Sequence, residues 1–140
     1  GYTNCPCYIM DSKQLAQYCC AYADDRKAES PVIMDLRSIS SITDFFIVLT
    51  GSSTPHLRAI ASEIMDKVCE DHDMRPRQLD GKGSGTWVVI DYYDVIIHIM
   101  SEDMRRRYDL ESLWGDAPKI KPRKPRGMGP RSRKPRPNEV

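Results

Sequence analysis

Three stretches of the sequence carry residue types that can do chemistry. Thr50-Gly51-Ser52-Ser53-Thr54 ends an apolar run and precedes a helical pattern, so a glycine and free helix N–H groups stand where an anion can be held. His56 lies within reach of Ser52 and Ser53 as a general base, but no acid partner accompanies it. Gly81-Lys82-Gly83-Ser84-Gly85 has the composition of a phosphate loop. Such a loop needs a strand before it and a helix after it, and here a Trp-led strand follows, so it reads as a contact loop. Nucleotidyl transfer would require paired carboxylates on a strand some way beyond a glycine-serine start, to hold magnesium. That interval contains Ala61-Ser62-Glu63 within a helical pattern. Cys5, Cys7, Cys19 and Cys20 fall at C-x-C and C-C spacings, poor matches to the pairs of structural zinc. No catalytic residue, metal site or cofactor is expected.

The elements that must position these residues follow from periodicity. Ser12 is a candidate N-cap for a helix in which Leu15, Cys19 and Tyr22 recur with Ala16, Cys20 and Ala23. Val32, Met34 and Leu36 alternate as one face of a strand, and Phe45-Phe46-Ile47-Val48-Leu49 is a continuous apolar run suited to a central strand covered on both faces. Thr54-Pro55 opens a second helix, with Leu57, Ile60, Ala61, Ile64, Met65 and Val68 on one side. Arg75 to Asp80 reads as a short edge strand. A hairpin then joins Trp87-Val88-Val89-Ile90-Asp91 to Asp94-Val95-Ile96-Ile97-His98-Ile99-Met100 around Tyr92-Tyr93. A bulky residue is costly in a two-residue turn that demands positive φ, so a wider or strained turn is expected. Glu102 to Tyr108 forms a last helix, Asp109 caps a further short turn and Gly115 ends it. The sum is an α/β domain with a single mixed β-sheet flanked by helices over residues 12–118. Residues 1–11 read as an N-terminal extension, with Met10 a candidate natural start.

Length and charge narrow the function. At 140 residues the chain holds one core plus an appendage. No apolar run approaches the about 18 residues that span a bilayer, so no membrane partner is expected. Five cysteines, odd in number and bunched near one end, fit a reducing compartment such as the cytoplasm. The net charge of +1 hides a division. Residues 119–140, rich in Lys-Pro and Arg-Pro pairs, carry nine basic residues against Glu139 alone, whereas residues 1–118 carry twelve basic against nineteen acidic residues, a net of −7. The segment reads as a disordered basic tail whose Lys121, Arg123, Lys124, Arg126, Arg131, Arg133, Lys134 and Arg136 would meet RNA phosphates, while the acidic body suits a basic protein surface. Between residues 87 and 114 fall Trp87, Tyr92, Tyr93, Met100, Met104, Tyr108, Leu113 and Trp114, side chains of the kind that anchor protein interfaces.

Ser40-Ser41-Ile42-Thr43-Asp44-Phe45-Phe46, Thr50-Gly51-Ser52-Ser53 with His56, Trp87-Val88-Val89-Ile90-Asp91-Tyr92, Asp94-Val95-Ile96-Ile97-His98, and Arg107-Tyr108-Asp109-Leu110-Glu111 with Leu113-Trp114-Gly115-Asp116-Ala117-Pro118 occur in order. Over residues 12–118 the sequence closely resembles the ribosomal silencing factor, or Iojap-like, family. The resemblance implies a nucleotidyltransferase-like fold without the active site. It also implies binding to protein number fourteen of the large ribosomal subunit, at the face where the small subunit joins, with translation repressed as a result. Large-subunit assembly through RNA binding is the alternative. The matching hairpin and C-terminal motif imply a contact surface on Trp87, Asp91, Asp94, His98, Met100, Tyr108, Leu113 and Trp114, and relatives of this kind often form a homodimer when free. Two positions depart from the family pattern: Pro55 stands where Arg is usual, and Tyr93 where a hairpin glycine is usual.

Overall fold

The computed structural model describes residues 10–81 and 85–125. In chain order the elements are helix α1 (Ser12–Asp24), strands β1 (Glu29–Asp35) and β2 (Phe45–Thr50), helix α2 (Thr54–His72), strands β3 (Gln78–Asp80), β4 (Trp87–Asp91) and β5 (Val95–Met100), helices α3 (Glu102–Tyr108) and α4 (Leu110–Leu113), and strand β6 (Lys119–Ile120). The six strands form one sheet in the order β3-β4-β5-β2-β1-β6. Only β2 and β5 run parallel and the remaining pairs are antiparallel, so the sheet is mixed as expected. The continuous apolar run of β2 lies inside the sheet, and the short strand read from Arg75 to Asp80 is confined to Gln78–Asp80 at its edge.

Strand alternation sorts the apolar side chains into two cores. Ile33, Phe45, Ile47, Leu49, Val88, Ile90, Val95, Ile97 and Ile99 face α1 and α2, whose Leu15, Ala16, Cys19, Tyr22, Leu57, Ile60, Ile64 and Val68 close over them. Met34, Leu36, Val48 and Met100 face the other way, against Leu110 and Ala117 of the C-terminal segment. Cys19 and Cys20 are both buried in the first core, where desolvation raises the Cys19 thiol and pushes Cys20 up to about 12. Two adjacent thiols held protonated in a core act as packing residues; Cys5 and Cys7 lie outside the described residues.

Several boundaries differ from the sequence reading. Asp11, not Ser12, caps α1, its Oδ1 accepting from the Gln14 N–H at 2.9 Å, while Ser12 donates to Asp44 across the structure at 2.7 Å. Met10 packs against the core. Ser53 rather than Thr54 caps α2, accepting from His56 N–H. At the other end, Lys119–Ile120 pairs antiparallel with β1 and Ile120 packs on the first core. The tail residues Lys121, Arg123 and Lys124 are therefore placed by the fold, while Arg126, Arg131, Arg133, Lys134 and Arg136 lie outside the described residues. Among the described residues no helix is long and apolar enough to cross a membrane.

Candidate protein-docking face

The β4–β5 hairpin builds the face. Its register pairs Trp87 with Met100, Val89 with His98 and Asp91 with Ile96, so these six side chains project from the surface opposite α1 and α2. Phe46 of β2 lies opposite Ile96 in the parallel pair and shares that side. The rings then meet in a row. Trp114 stands edge-on to Phe46 at 5.8 Å between centroids, Phe46 to His98 at 4.8 Å, His98 tilts on Trp87 at 5.9 Å, and Trp87 on Tyr108 at 5.0 Å. Phe46, Val89, Ile96, Trp87 and Trp114 are half-buried, whereas Tyr108 is 50% and Leu113 70% exposed.

The residues implied as contacts divide into those that offer surface and those that hold it. Met100 is fully buried and His98 is 9% exposed, so neither presents a free contact surface; Met100 packs with Phe46, Trp87 and Trp114, and His98 is the buried member of the row. The Trp87 Nε1–H donates to His98 Nδ1 at 3.1 Å, which requires an unprotonated Nδ1, and burial holds His98 down at about 4. Its Nε2 is buried with no partner among the described residues. Asp91 is likewise engaged, since its Oδ2 accepts from Arg77 at 2.7 Å and its Oδ1 from the Tyr93 N–H at 2.7 Å. Asp94 is exposed at the tip, its carbonyl accepting from the N–H groups of Asp44 and Phe45.

That tip resolves the expected conflict by strain. Tyr93 takes φ 74°, and Asp94 N–H bonds back to the Tyr92 carbonyl at 2.9 Å in a three-residue turn. A side chain costs about 1–2 kcal/mol there. Arg77 covers the Tyr93 ring at 4.7 Å and Asp91 holds its N–H. Tyr92 and Tyr93 part company: Tyr92 is buried in the α1/α2 core, where desolvation raises its phenol, and Tyr93 is 56% exposed.

The other end of the face is capped by α3 and α4. Asp109, at φ 43°, ends α3 and caps α4, accepting from Ser112 Oγ at 2.7 Å. Arg105 ties this cap to the sheet: its guanidinium reaches Glu111 at 2.8 Å and Thr50 Oγ1 of β2 at 2.9 Å. Arg106 and Arg107 stay exposed beside it.

The residues weighed for catalysis make contacts within the fold. His56 Nδ1 accepts from Ser52 N–H at 2.8 Å, so Nε2 carries the proton and donates to the Arg26 carbonyl at 2.7 Å. Nε2 ties α2 to the α1–β1 turn and Nδ1 ties it to the β2–α2 connection, and Ser52 Oγ sits 3.1 Å from the nitrogen already occupied. Thr54 Oγ1 donates to the Gly85 carbonyl at 2.9 Å, anchoring the end of the glycine loop; residues 82–84 lie outside the described residues. Phe46, Val89 and Ile96 were not singled out by sequence reasoning. Period-2 parity with Trp87 and His98 was the available signal for Val89 and Ile96, but Phe46 sits in an unbroken apolar run that carries no sidedness.

The sheet is mixed, with helices closing one side and an aromatic row left half open on the other. The chain belongs to the ribosomal silencing factor family: the family model described as ribosomal silencing factor during starvation matches residues 9–139. It is 39% identical over 111 residues to ribosomal silencing factor RsfS of Halalkalibacterium halodurans, covering 79% of this chain and 94% of that protein. A crystal structure of a protein from Chromobacterium violaceum has a TM-score of 0.73 and 28% identity, covering 86% of this chain and 98% of that one. A more distant relative is mitochondrial assembly of ribosomal large subunit protein 1 of Mus musculus, 32% identical over 74 residues, which covers 51% of this chain and 32% of that protein.

Proposed function

We propose that the protein is a non-catalytic factor that docks on protein number fourteen of the large ribosomal subunit in the cytoplasm and blocks joining of the small subunit, repressing translation. The observation that carries this reading is the half-open row Trp114–Phe46–His98–Trp87–Tyr108, flanked by exposed Leu113, on a chain of this family. Trp and Tyr in a continuous patch are the usual anchors of an interface. The −7 charge of residues 1–118 complements a basic ribosomal protein. Occlusion of the joining face requires no bond to be made or broken.

The basic tail would add contacts to ribosomal RNA. If about six of its charges meet phosphates, log K falls with log salt at a slope of about −4 to −5. The same aromatic face is the candidate homodimer surface of the free protein, and light scattering that shows only monomer would remove that role.

The test mixes purified small and large subunits with and without the protein and resolves them on a sucrose gradient. Fewer joined ribosomes, with the protein travelling on the large subunit, is the expected result. Unaffected joining with the protein in neither subunit fraction would overturn it. The name of the mouse relative favours a second reading, large-subunit assembly. That role predicts accumulation of immature large subunits on depletion, with joining of mature subunits unaffected by the added protein.

A further inference from the structure

Residues 119–125 do more than begin the tail. Ile33 pairs with Ile120 and Met34 with Lys119, which brings the chain off the sheet edge and over α1. There Gln17, 9% exposed, grips the backbone at two points: its Nε2 donates to the Lys121 carbonyl at 3.4 Å, and its Oε1 accepts from the Arg123 N–H at 2.8 Å. Half-buried Pro122 lies between the two gripped residues. A side-chain amide that donates and accepts on one short segment reproduces a strand's hydrogen bonding, so it sets the direction of the chain as well as its position. Residues 121–125 are thus strapped across α1.

The strap forms one wall of a cleft of about 410 Å³ whose other wall is α1. Lys13 stands on the helix side, and Lys121, Arg123 and Lys124 on the strap side. Among the described residues none of these four cations forms a salt bridge, although nine ion pairs occur elsewhere among them. The one carboxylate lining the cleft, Asp11, is engaged as the α1 cap through Gln14 N–H. Tyr18 closes the floor, its ring packed at 4.5 Å against His72. Arg123 and Lys124 also border a second cavity with Asp24 and Asp25, and Lys13 acts electrostatically on Asp35, but none of the four is tied up in an ion pair among the described residues. Four such cations lining one groove, with the backbone of one wall clamped, is an arrangement for holding a chain of phosphates rather than for solubility, which would need no clamp.

We infer that the cleft between α1 and the strapped residues 121–125 binds the phosphate backbone of RNA, with Lys13, Lys121, Arg123 and Lys124 as phosphate contacts and Gln17 as the positioning residue that orients them. The inference deepens the ribosomal reading above, since it turns a loose electrostatic tail into a site that includes a residue 108 positions away from Lys121 in sequence.

The test measures binding of the full chain to a short fluorescent RNA, single-stranded and annealed to its complement, across a salt series. Lys13→Gln is expected to lower affinity and to flatten the log–log salt slope by about 0.7–0.9, the loss of one contact. Lys67→Gln, on α2 beside Glu70, is expected to change neither. Gln17→Leu keeps every charge and is expected to weaken binding several-fold. In that background Lys13→Gln should cost less than it does alone, because a loosened strap no longer faces Lys13. An unaltered Lys13 effect in the Gln17→Leu background would reduce Gln17 to a stability role and overturn its assignment. If the full chain binds RNA with a steep slope but Lys13→Gln behaves as wild type, the cleft is overturned while the tail reading stands. If the full chain binds no RNA, the tail reading fails as well. Poly-glutamate bound as tightly as RNA would overturn the assignment to nucleic acid.

Discussion

The two faces of one sheet are closed in opposite ways. On one side, helices of 13 and 19 residues lay continuous apolar stripes over Phe45, Ile47, Leu49, Ile97 and Ile99, and these strand residues are fully buried. On the other, helices of 7 and 4 residues cover only the end of the sheet near Met100, and Phe46, Val89 and Ile96 stay partly open. The alternating strands supply comparable apolar material to both. What differs is the length of helix available to bury it, and the uncovered remainder is what a partner can use. Stability is thus concentrated on the first face, and the proposed recognition surface lies on the second.

The largest effect should come from breaking the closed face. Ile97→Ala removes a fully buried side chain and is expected to cost about 2–5 kcal/mol, read as a lower urea midpoint at unchanged m. A loss under 1 kcal/mol would mean the two faces share the load. Next is pH. His98 is held at about 4 when folded, below its ordinary 6.5, so the unfolded chain binds more protons between those values. Its contribution is present above about pH 6.5 and is lost as pH falls toward 4, on the order of 3 kcal/mol in full. His98→Asn keeps an acceptor for Trp87 and should remove that part of the acid loss, leaving the part due to His72, which burial also lowers. Acid titrations of the two proteins that superimpose would show His98 to be open to water.

A smaller effect separates the cap from the sheet. Arg105→Met breaks the bonds to Glu111 and Thr50 and is expected to cost about 2 kcal/mol in unfolding, with a disproportionate loss of ribosome co-sedimentation because the Tyr108–Trp114 segment is no longer held. Equal proportional losses would erase the distinction between stability and recognition. Smallest is the hairpin tip. Tyr93→Gly in an Arg77→Ala background should raise stability by about 1 kcal/mol, since the positive φ no longer costs anything and the ring contact is already gone. No gain there would show that the turn carries no strain.

Much of this was legible in advance because it is local. The α2 stripe, the hairpin, the Asp109 cap and the strained turn at Tyr93 all rest on contacts within a few residues, where spacing and φ preferences act directly. Parity within a strand also put Trp87 and His98 on definite sides of their own strands. Burial of Met100 and His98 was not legible, since it depends on where α3 and α4 settle. The division of Tyr92 from Tyr93 depends on a single flipped residue in the turn.

The sequence by itself determined an α/β domain with a central apolar strand, an acidic body, a basic C-terminal segment and aromatic residues gathered between 87 and 114, because composition and periodicity are properties of the chain alone. Only the tertiary structure decided that Phe46 joins the aromatic row, that Asp91 is engaged by Arg77, and that residues 119–125 leave the tail to become an edge strand and a strap gripped by Gln17. Each of these joins residues between 14 and 106 positions apart. Pairing at such distances is selected by register and by what the rest of the core leaves uncovered, which no local pattern records.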